Sequence, residues 1–235
     1  MKVLAIDTSN YPLGIAVIDE EKVIGEYITN VKKNHSIRVM PTIETVLKDC
    51  DLTAKDLTKI VVAQGPGSYT GVRIGVTIAK TLAWTLNIPL VGVSSLEILA
   101  ASVGRYFPGA VSPLFDGRRG QIYTGLYQYE NEVLTTVKKD HILQSRDWVE
   151  QLRSFSKPVL FIGNDLPLHR AVIEEVMGEK AYFAEITEQN PRPAELAFLG
   201  MNKNGVDIHS FVPNYVRLAE AEAKWMEANK TKNSN

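Results

Sequence analysis

The chain has one cysteine, four histidines, no excess of basic residues and no apolar run long enough to cross a membrane. Each shortage excludes something. Cys50 alone rules out an internal disulfide framework and fits a reducing compartment. His35, His141, His169 and His209 pair at neither i, i+3 nor i, i+4 spacing, and one thiol cannot build a thiolate metal site. The formal net charge is −1, so no global field draws in nucleic acid, and a role near RNA needs a local patch or a partner. Ser36, Ser68 and Ser94 each stand at a helix entrance, and none is placed with a His and an acid in a pattern that suggests a catalytic triad. No signal-peptide pattern precedes the first apolar segment, so the expected location is the cytoplasm.

What is present centres on residues 60–93, IVVAQGPGSYTGVRIGVTIAKTLAWTLNIPLVGV. An apolar run, Ile60 to Ala63, enters a glycine loop. A helical pattern follows, then a second apolar run, Leu90 to Val93. Strand, loop, helix and strand form a βαβ unit with parallel strands. Gly65 and Gly67 supply the turn, Pro66 stiffens it, and Ser68 or Thr70 is placed to cap the helix. The loop lacks both the Gly-Lys-Ser/Thr of a P-loop and the G-x-G-x-x-G dinucleotide spacing. Two uses remain open for it: anion binding by loop amides at a helix N-terminus, or a tight turn with close packing. Val72, Val76, Ala79 and Ala83 share one helical face, and Ile74, Ile78 and Leu82 share another. That pattern predicts burial against a sheet and against a second partner.

Around this unit the same grammar occurs twice. Lys2 to Asp7, Leu13 to Ile18 and Val23 to Thr29 read as an antiparallel meander. A helix follows from about Ser36, its capping residue, with Pro41 delaying or kinking its start. His35, beside that cap, reads either as a ligand or catalytic residue or as a local hydrogen-bond partner. Ser94 caps a further helix, and Gly104 to Gly109 marks a boundary. Val111 to Phe115, Gln121 to Tyr129 and Val133 to Val137 then form a second meander. Helices begin at Ser145 and Gly163, strands run from Pro158 to Ile162 and from Tyr182 to Ile186, and a helix spans Pro193 to Met201. A charged helix is expected from Leu218 to about Ala228, with Ala221 and Trp225 as its apolar stripe. β-β-β-α-β-α-β thus appears twice, with Asp7 and Asp116 each closing a first strand. Two such lobes, each a mixed sheet with flanking helices, describe the α/β architecture of the actin-like ATPase (ASKHA) fold. The expected division is 1–103, 104–211 and a C-terminal helix and tail at 212–235.

A kinase or ATPase of that fold needs a phosphate-binding hairpin in each lobe. The first turn here, Asp7-Thr8-Ser9-Asn10-Tyr11-Pro12, has no glycine before Gly14. The second, Asp116-Gly117-Arg118-Arg119-Gly120, carries two arginines and reads as an anion or partner site or as an exposed hairpin tip. Asp7 could hold a metal-bound water or accept turn hydrogen bonds. Lys32-Lys33 and Arg118-Arg119 are the basic pairs to test for RNA contact, and as isolated pairs they read as solvated surface.

Several separated segments together resemble one family: IDTS at 6–9, NHS at 34–36 followed by Pro41, GPGSYTGVRIG at 65–75, DGRRGQIY at 116–123 and PNYVR at 213–217. They look like the bacterial TsaB (YeaZ) family, along nearly the whole chain. The resemblance implies an actin-like fold and a part in making N6-threonylcarbamoyladenosine beside the tRNA anticodon. It implies a non-catalytic scaffold and dimerisation subunit, an inactive paralogue of the catalytic TsaD, joined by the small ATPase TsaE. A homodimer is implied for the chain alone. ATP and a metal belong to the partners, with no cofactor of its own, and tRNA is met only through the complex. The TsaD pattern has a Val-His-His-x-x-x-His run that binds metal. The matching run here is Val93 to Leu99, which places Ser95 and Leu99 at the ligand positions. The implied pairing face is the helix after Ser36 and the helix after Thr70, with Arg38, Met40, Ile43, Thr70, Val72, Arg73 and Val76 on it. A charge at Val72 or Ile43 is then expected to weaken pairing without unfolding. The competing expectation is a self-standing actin-like kinase or ATPase, and a third is a homodimeric interaction module.

Overall fold

The protein's structure, a computed structural model, describes residues 1–216. The expected charged helix and polar tail lie outside the described residues. In the first lobe, β1 (Val3–Asp7), β2 (Pro12–Ile18) and β3 (Val23–Asn30) form the meander. The helix α1 (Val39–Asp49), strand β4 (Lys59–Ala63), helix α2 (Tyr69–Leu86) and strand β5 (Leu90–Val93) follow. The sheet order is β3-β2-β1-β4-β5, with β1 antiparallel to β2 and parallel to β4. After α3 (Ser95–Ala101), the second lobe repeats the plan. It contains β6 (Ala110–Arg118), β7 (Gln121–Glu130), β8 (Val133–Gln144), α4 (Ser145–Arg153), β9 (Val159–Ile162), α5 (Leu166–Met177) and β10 (Ala181–Phe183). Its order, β10-β9-β6-β7-β8, is the same arrangement read from the other edge.

The strand period of two sorts β1 onto both faces of its sheet. Leu4 and Ile6 meet Val39, Ile43, Val46 and Leu47 of α1 and Val72, Val76, Ala79 and Ala83 of α2. Val3 and Ala5 face the other way, toward Ile98 of α3 and toward α6 (Pro193–Met201), which contributes Leu196, Ala197 and Met201. The second sheet buries one face under α4 and α5, around Trp148 and Phe161, and the other against Leu96, Leu99 and Ala100 of α3. The helices α3 and α6 therefore form a shared layer between the two sheets.

The division at 104–211 fails at its end, because α6 returns to the first lobe and is buried against β1, β4 and β5. Glu26 of β3 fixes that return by binding the Arg192 guanidinium and accepting the Ala194 N–H at 3.0 Å, a carboxylate at a helix N-terminus. Ser36 is not a helix cap. Asn34 accepts its N–H, a short 3-10 turn spans His35–Ile37, and α1 starts at Val39, so Pro41 falls within the first turn, where no N–H is needed. Ser145 is the first residue of α4, and Gln144 holds the cap position. The third strand of the second meander runs to Gln144, because Lys138-Lys139-Asp140 sits on an edge strand, where charge is tolerated. The last strand stops at Phe183, leaving Ile186 exposed.

The glycine loop is a packing device. A Cβ on Gly67 would stand 2.3 Å from the Ser9 carbonyl oxygen, and one on Gly71 would stand 2.2 Å from that of Thr8. Ser68 donates its N–H to the Ser9 carbonyl at 2.7 Å, and the Thr8 hydroxyl donates to the Gly71 carbonyl at 2.7 Å. Backbone obstructs both glycine positions, so neither contact can yield by a rotamer change. Gly71→Ala is expected to destabilise the chain by about 2–3 kcal/mol, read as a lower urea midpoint at unchanged slope. A midpoint within about 0.5 kcal/mol of the parent would contradict this contact.

Candidate functional site

Between the lobes lies an open cleft of about 950 Å³. One wall holds Asn10 and Tyr11 of the β1–β2 turn, Lys32 to His35, and residues 67–71 at the entrance of α2. The facing wall holds Phe115 to Arg118 of the β6–β7 hairpin, Tyr123, and Asp165 and Leu168 at the entrance of α5. The two hairpins named by sequence thus meet across one space.

Asp7 does not reach that space. It is buried, and its Oδ1 accepts the Ser9 N–H at 2.8 Å and the Ser9 hydroxyl at 2.7 Å. Its Oδ2 is buried without a hydrogen-bond donor among the described residues. Of the two readings open for this aspartate, the structure shows turn hydrogen bonding. Burial raises its pKa above the ordinary carboxylate range, against the opposing pull of the Ser9 bonds and of His35. His35 sits just outside, its Nε2 2.7 Å from the Asn10 carbonyl oxygen. A carbonyl only accepts, so Nε2 carries the proton.

On the second lobe, Asp116 accepts from His169 Nε2 at 3.1 Å, and its own N–H goes to the Asp165 carboxylate at 2.9 Å. Sequence ends the strand at Asp116, whereas β6 runs on to Arg118, and it gives no sign of His169, which arrives from the first turn of α5. Arg118 and Arg119 carry positive φ values of 65° and 54°, in the left-handed region that favours glycine.

The first hairpin does not fit a phosphate cradle. The Ser9 amide is engaged by Asp7, the Ser9 carbonyl by Ser68, and the loop glycines are closed against the same turn. Of the two uses open for that loop, close packing is the one the geometry shows.

The position matching the TsaD metal run is also occupied. Ser95 is buried, its hydroxyl accepts the Gly65 N–H at 3.2 Å, and its own N–H goes to the Gly65 carbonyl at 3.0 Å. Leu99 is buried in the core beneath the second sheet. Beside them Ser94, the cap of α3, donates to Asp140, and so does the buried Tyr127 hydroxyl. Burial, then the Asp140 charge, push the Tyr127 pKa up.

The seven residues expected on a pairing face divide. Ile43, Val72 and Val76 are buried in the core of the first lobe, Val72 at 3% exposure, so a charge at Ile43 or Val72 is expected to disturb the fold and not to spare it. Arg38 is half-buried and donates to Thr29 at 2.6 Å. Met40, Thr70 and Arg73 are exposed. Sequence missed what adjoins them. Ile37 is 72% exposed, and Tyr69 stacks on Tyr215 at 5.3 Å and receives the Arg73 guanidinium over its ring. A groove of about 430 Å³ runs along α2 beside residues 211–213 and Tyr215. That strap is held by Asn214, whose N–H donates to the Gln64 carbonyl at 2.7 Å, and by Lys80, which donates to the Phe211 carbonyl at 2.7 Å.

Two similar lobes, each a five-stranded mixed sheet, closed around a common cleft define an actin-like fold of the ATPase (ASKHA) class. The chain superposes on YeaZ from Pseudomonas aeruginosa with a TM-score of 0.77 at 23% identity, covering 91% of this chain and 99% of that one. It superposes on the ROK hexokinase of Thermus thermophilus with a TM-score of 0.53 at 10% identity, covering 86% and 98%. A family model described as "TsaD: tRNA N6-adenosine threonylcarbamoyltransferase" matches residues 22–225. The tRNA threonylcarbamoyladenosine biosynthesis protein TsaB of Bacillus subtilis is 59% identical over 230 residues, 98% of this chain and 100% of that protein. The chain belongs to the TsaB family, within the wider group that the TsaD model describes.

The orphaned Asp7 oxygen gives a pH test. The folded state binds this proton more tightly than the unfolded chain, so stability from Asp7 is present below the unfolded pKa of 3.8 and falls as pH rises toward the raised folded value. Asp7→Asn keeps an oxygen for Ser9 and removes the buried charge. It is expected to raise stability at pH 7 by about 1–3 kcal/mol, with the gain gone near pH 3.5. Denaturant titrations at both pH values measure this, and equal destabilisation at both would show that the carboxylate itself is needed.

Proposed function

We propose that the chain is a non-catalytic scaffold subunit in threonylcarbamoylation of tRNA adenosine, and that it acts by pairing with a TsaD-like catalytic subunit. The observation that carries the reading is the entrance of α3. Where the related catalytic pattern has metal-binding histidines, Ser95 binds the glycine loop and Leu99 is core. Leu99 has no atom that can ligate a metal, and the Ser95 hydroxyl is already engaged by the Gly65 N–H. Among the described residues no group of three or more His, Cys, Asp or Glu converges elsewhere to replace that site. The packed first hairpin supports the same reading, since it leaves no phosphate cradle. Any ATP and metal requirement then falls on the partners, a TsaE-like ATPase among them. No helix among the described residues is long and apolar enough to cross a membrane, and the proposed place of action is the cytoplasm.

The pairing face proposed is the exposed side of α1 and α2, centred on Ile37, Met40, Tyr69 and Arg73. Large apolar side chains at 72%, 45% and 51% exposure on adjoining elements fit a protein interface, where aromatic, Met and Arg residues are enriched. A second copy of the chain and a TsaD-like subunit would compete for it.

Sedimentation with a TsaD-like protein tests this. Met40→Glu with Tyr69→Ala is expected to weaken pairing about 10- to 100-fold while leaving the unfolding midpoint within about 0.5 kcal/mol of the parent. Val72→Asp is expected to unfold the first lobe, because it buries an unpaired charge. Unchanged pairing in the double variant would remove this face, and no pairing by the parent chain would remove the scaffold role.

A further inference from the structure

The two basic pairs separated by more than eighty residues of sequence, Lys32-Lys33 and Arg118-Arg119, come together at opposite lips of the cleft. Lys32, Lys33 and Arg118 line its mouth, and Arg119 follows at the hairpin tip. All four are exposed, and among the described residues none makes an ion pair. The carboxylates of the cleft are engaged inward, Asp116 with His169 and Asp165 with the Asp116 amide. A chain of net charge −1 thus leaves four uncompensated cations around one opening.

The hairpin presents its arginines from a tight turn. Both take left-handed backbone conformations of the kind hairpin turns use, as Asn131 and Glu132 do in the next hairpin. On the other lip Lys32 lies over the ring of Tyr11, 5.9 Å from its centroid, and that ring is 54% exposed. Cations beside an exposed aromatic face suit a nucleic acid, with phosphate on the first and a base on the second.

The location favours an extended polyanion over a free nucleotide. The positive groups stand at the rim, whereas the interior carries Asp116 and Asp165 and a first hairpin already closed by packing. A triphosphate seated inside would meet carboxylates. A backbone lying across the mouth would meet the exposed cations and the Tyr11 ring.

We propose that the two lips form a docking strip for the phosphate backbone of RNA, so that this chain itself touches the tRNA on which the complex acts. The proposal rests on the functional reading above, and its test separates the two. The pair of this chain with a TsaD-like subunit is formed, its assembly is checked by sedimentation, and a labelled full-length tRNA transcript is titrated at several salt concentrations. Lys32→Gln with Lys33→Gln, and Arg118→Gln with Arg119→Gln, are each expected to weaken tRNA binding about five- to tenfold. Each should also reduce the slope of log affinity against log salt by about one to two, as expected for one or two lost phosphate contacts. Lys22→Gln with Lys55→Gln, exposed and remote from the cleft, makes the same change in net charge and should do neither.

Intact pairing with parental tRNA affinity and slope in both lip variants would overturn the docking strip and leave the scaffold reading standing. Equal weakening by the remote control would overturn it too, as a net-charge effect. Mg-ATP is titrated in parallel. Lip variants that lose ATP binding but keep tRNA binding would assign the cations to a nucleotide and overturn the RNA proposal. Absence of pairing would instead defeat the scaffold reading. The same titration on the chain alone would then decide the docking strip, with no tRNA binding counting against it.

Discussion

Thr8 and Ser9 leave β1 with their carbonyl oxygens against the entrance of α2, and the first lobe is built on that contact. It is backbone against backbone, and it exists because residues 67 and 71 have no Cβ. Two hydrogen bonds close it, from the Ser68 amide to Ser9 and from the Thr8 hydroxyl to Gly71. With α2 held this near the sheet, Val72, Val76, Ala79 and Ala83 can reach Leu4, Ile6 and Val62 with small side chains. The turn itself is buried, Thr8 and Ser9 included.

The consequence extends to the junction of the lobes. Ser95 ties α3 to the glycine loop, α3 lies against the second sheet, and α6 fills the layer beside it. Asp140 gathers Ser94 from one lobe and Tyr127 from the other, and Asn30 donates to Asn164 across the gap at 2.9 Å. Direct side-chain bonds thus join the two lobes beside their shared helical layer.

Much of this was legible in the sequence, and the misses share a physical origin. The β-β-β-α-β-α-β repeat came from alternation and turn residues, and both sheets follow it. The glycine loop was recognised, but glycine serves open turns and close packing alike, and only the distance to Ser9 separates the two. The apolar stripes of α2 were read correctly as stripes. Which stripe faces the sheet is not readable from the pattern, and the pairing face implied by the resemblance includes Val72 and Val76, which are core. The cap at Asn34 was hidden by Ser36, an equally good capping residue two positions on. The end of the second lobe was misplaced because nothing in residues 193–201 says which sheet that helix will cover. The basic pairs were visible from the start, but their convergence at one cleft is a property of the fold alone.

In the proposed function this chain supplies shape and contacts while a related subunit supplies the chemistry. The most direct measurement is formation of N6-threonylcarbamoyladenosine on a tRNA transcript, followed by mass spectrometry of its nucleosides, with the donor, ATP and a TsaE-like protein supplied. No product is expected from this chain alone, little from the TsaD-like subunit alone, and full formation when both are present. Product formed by this chain without the TsaD-like subunit would contradict the proposed function.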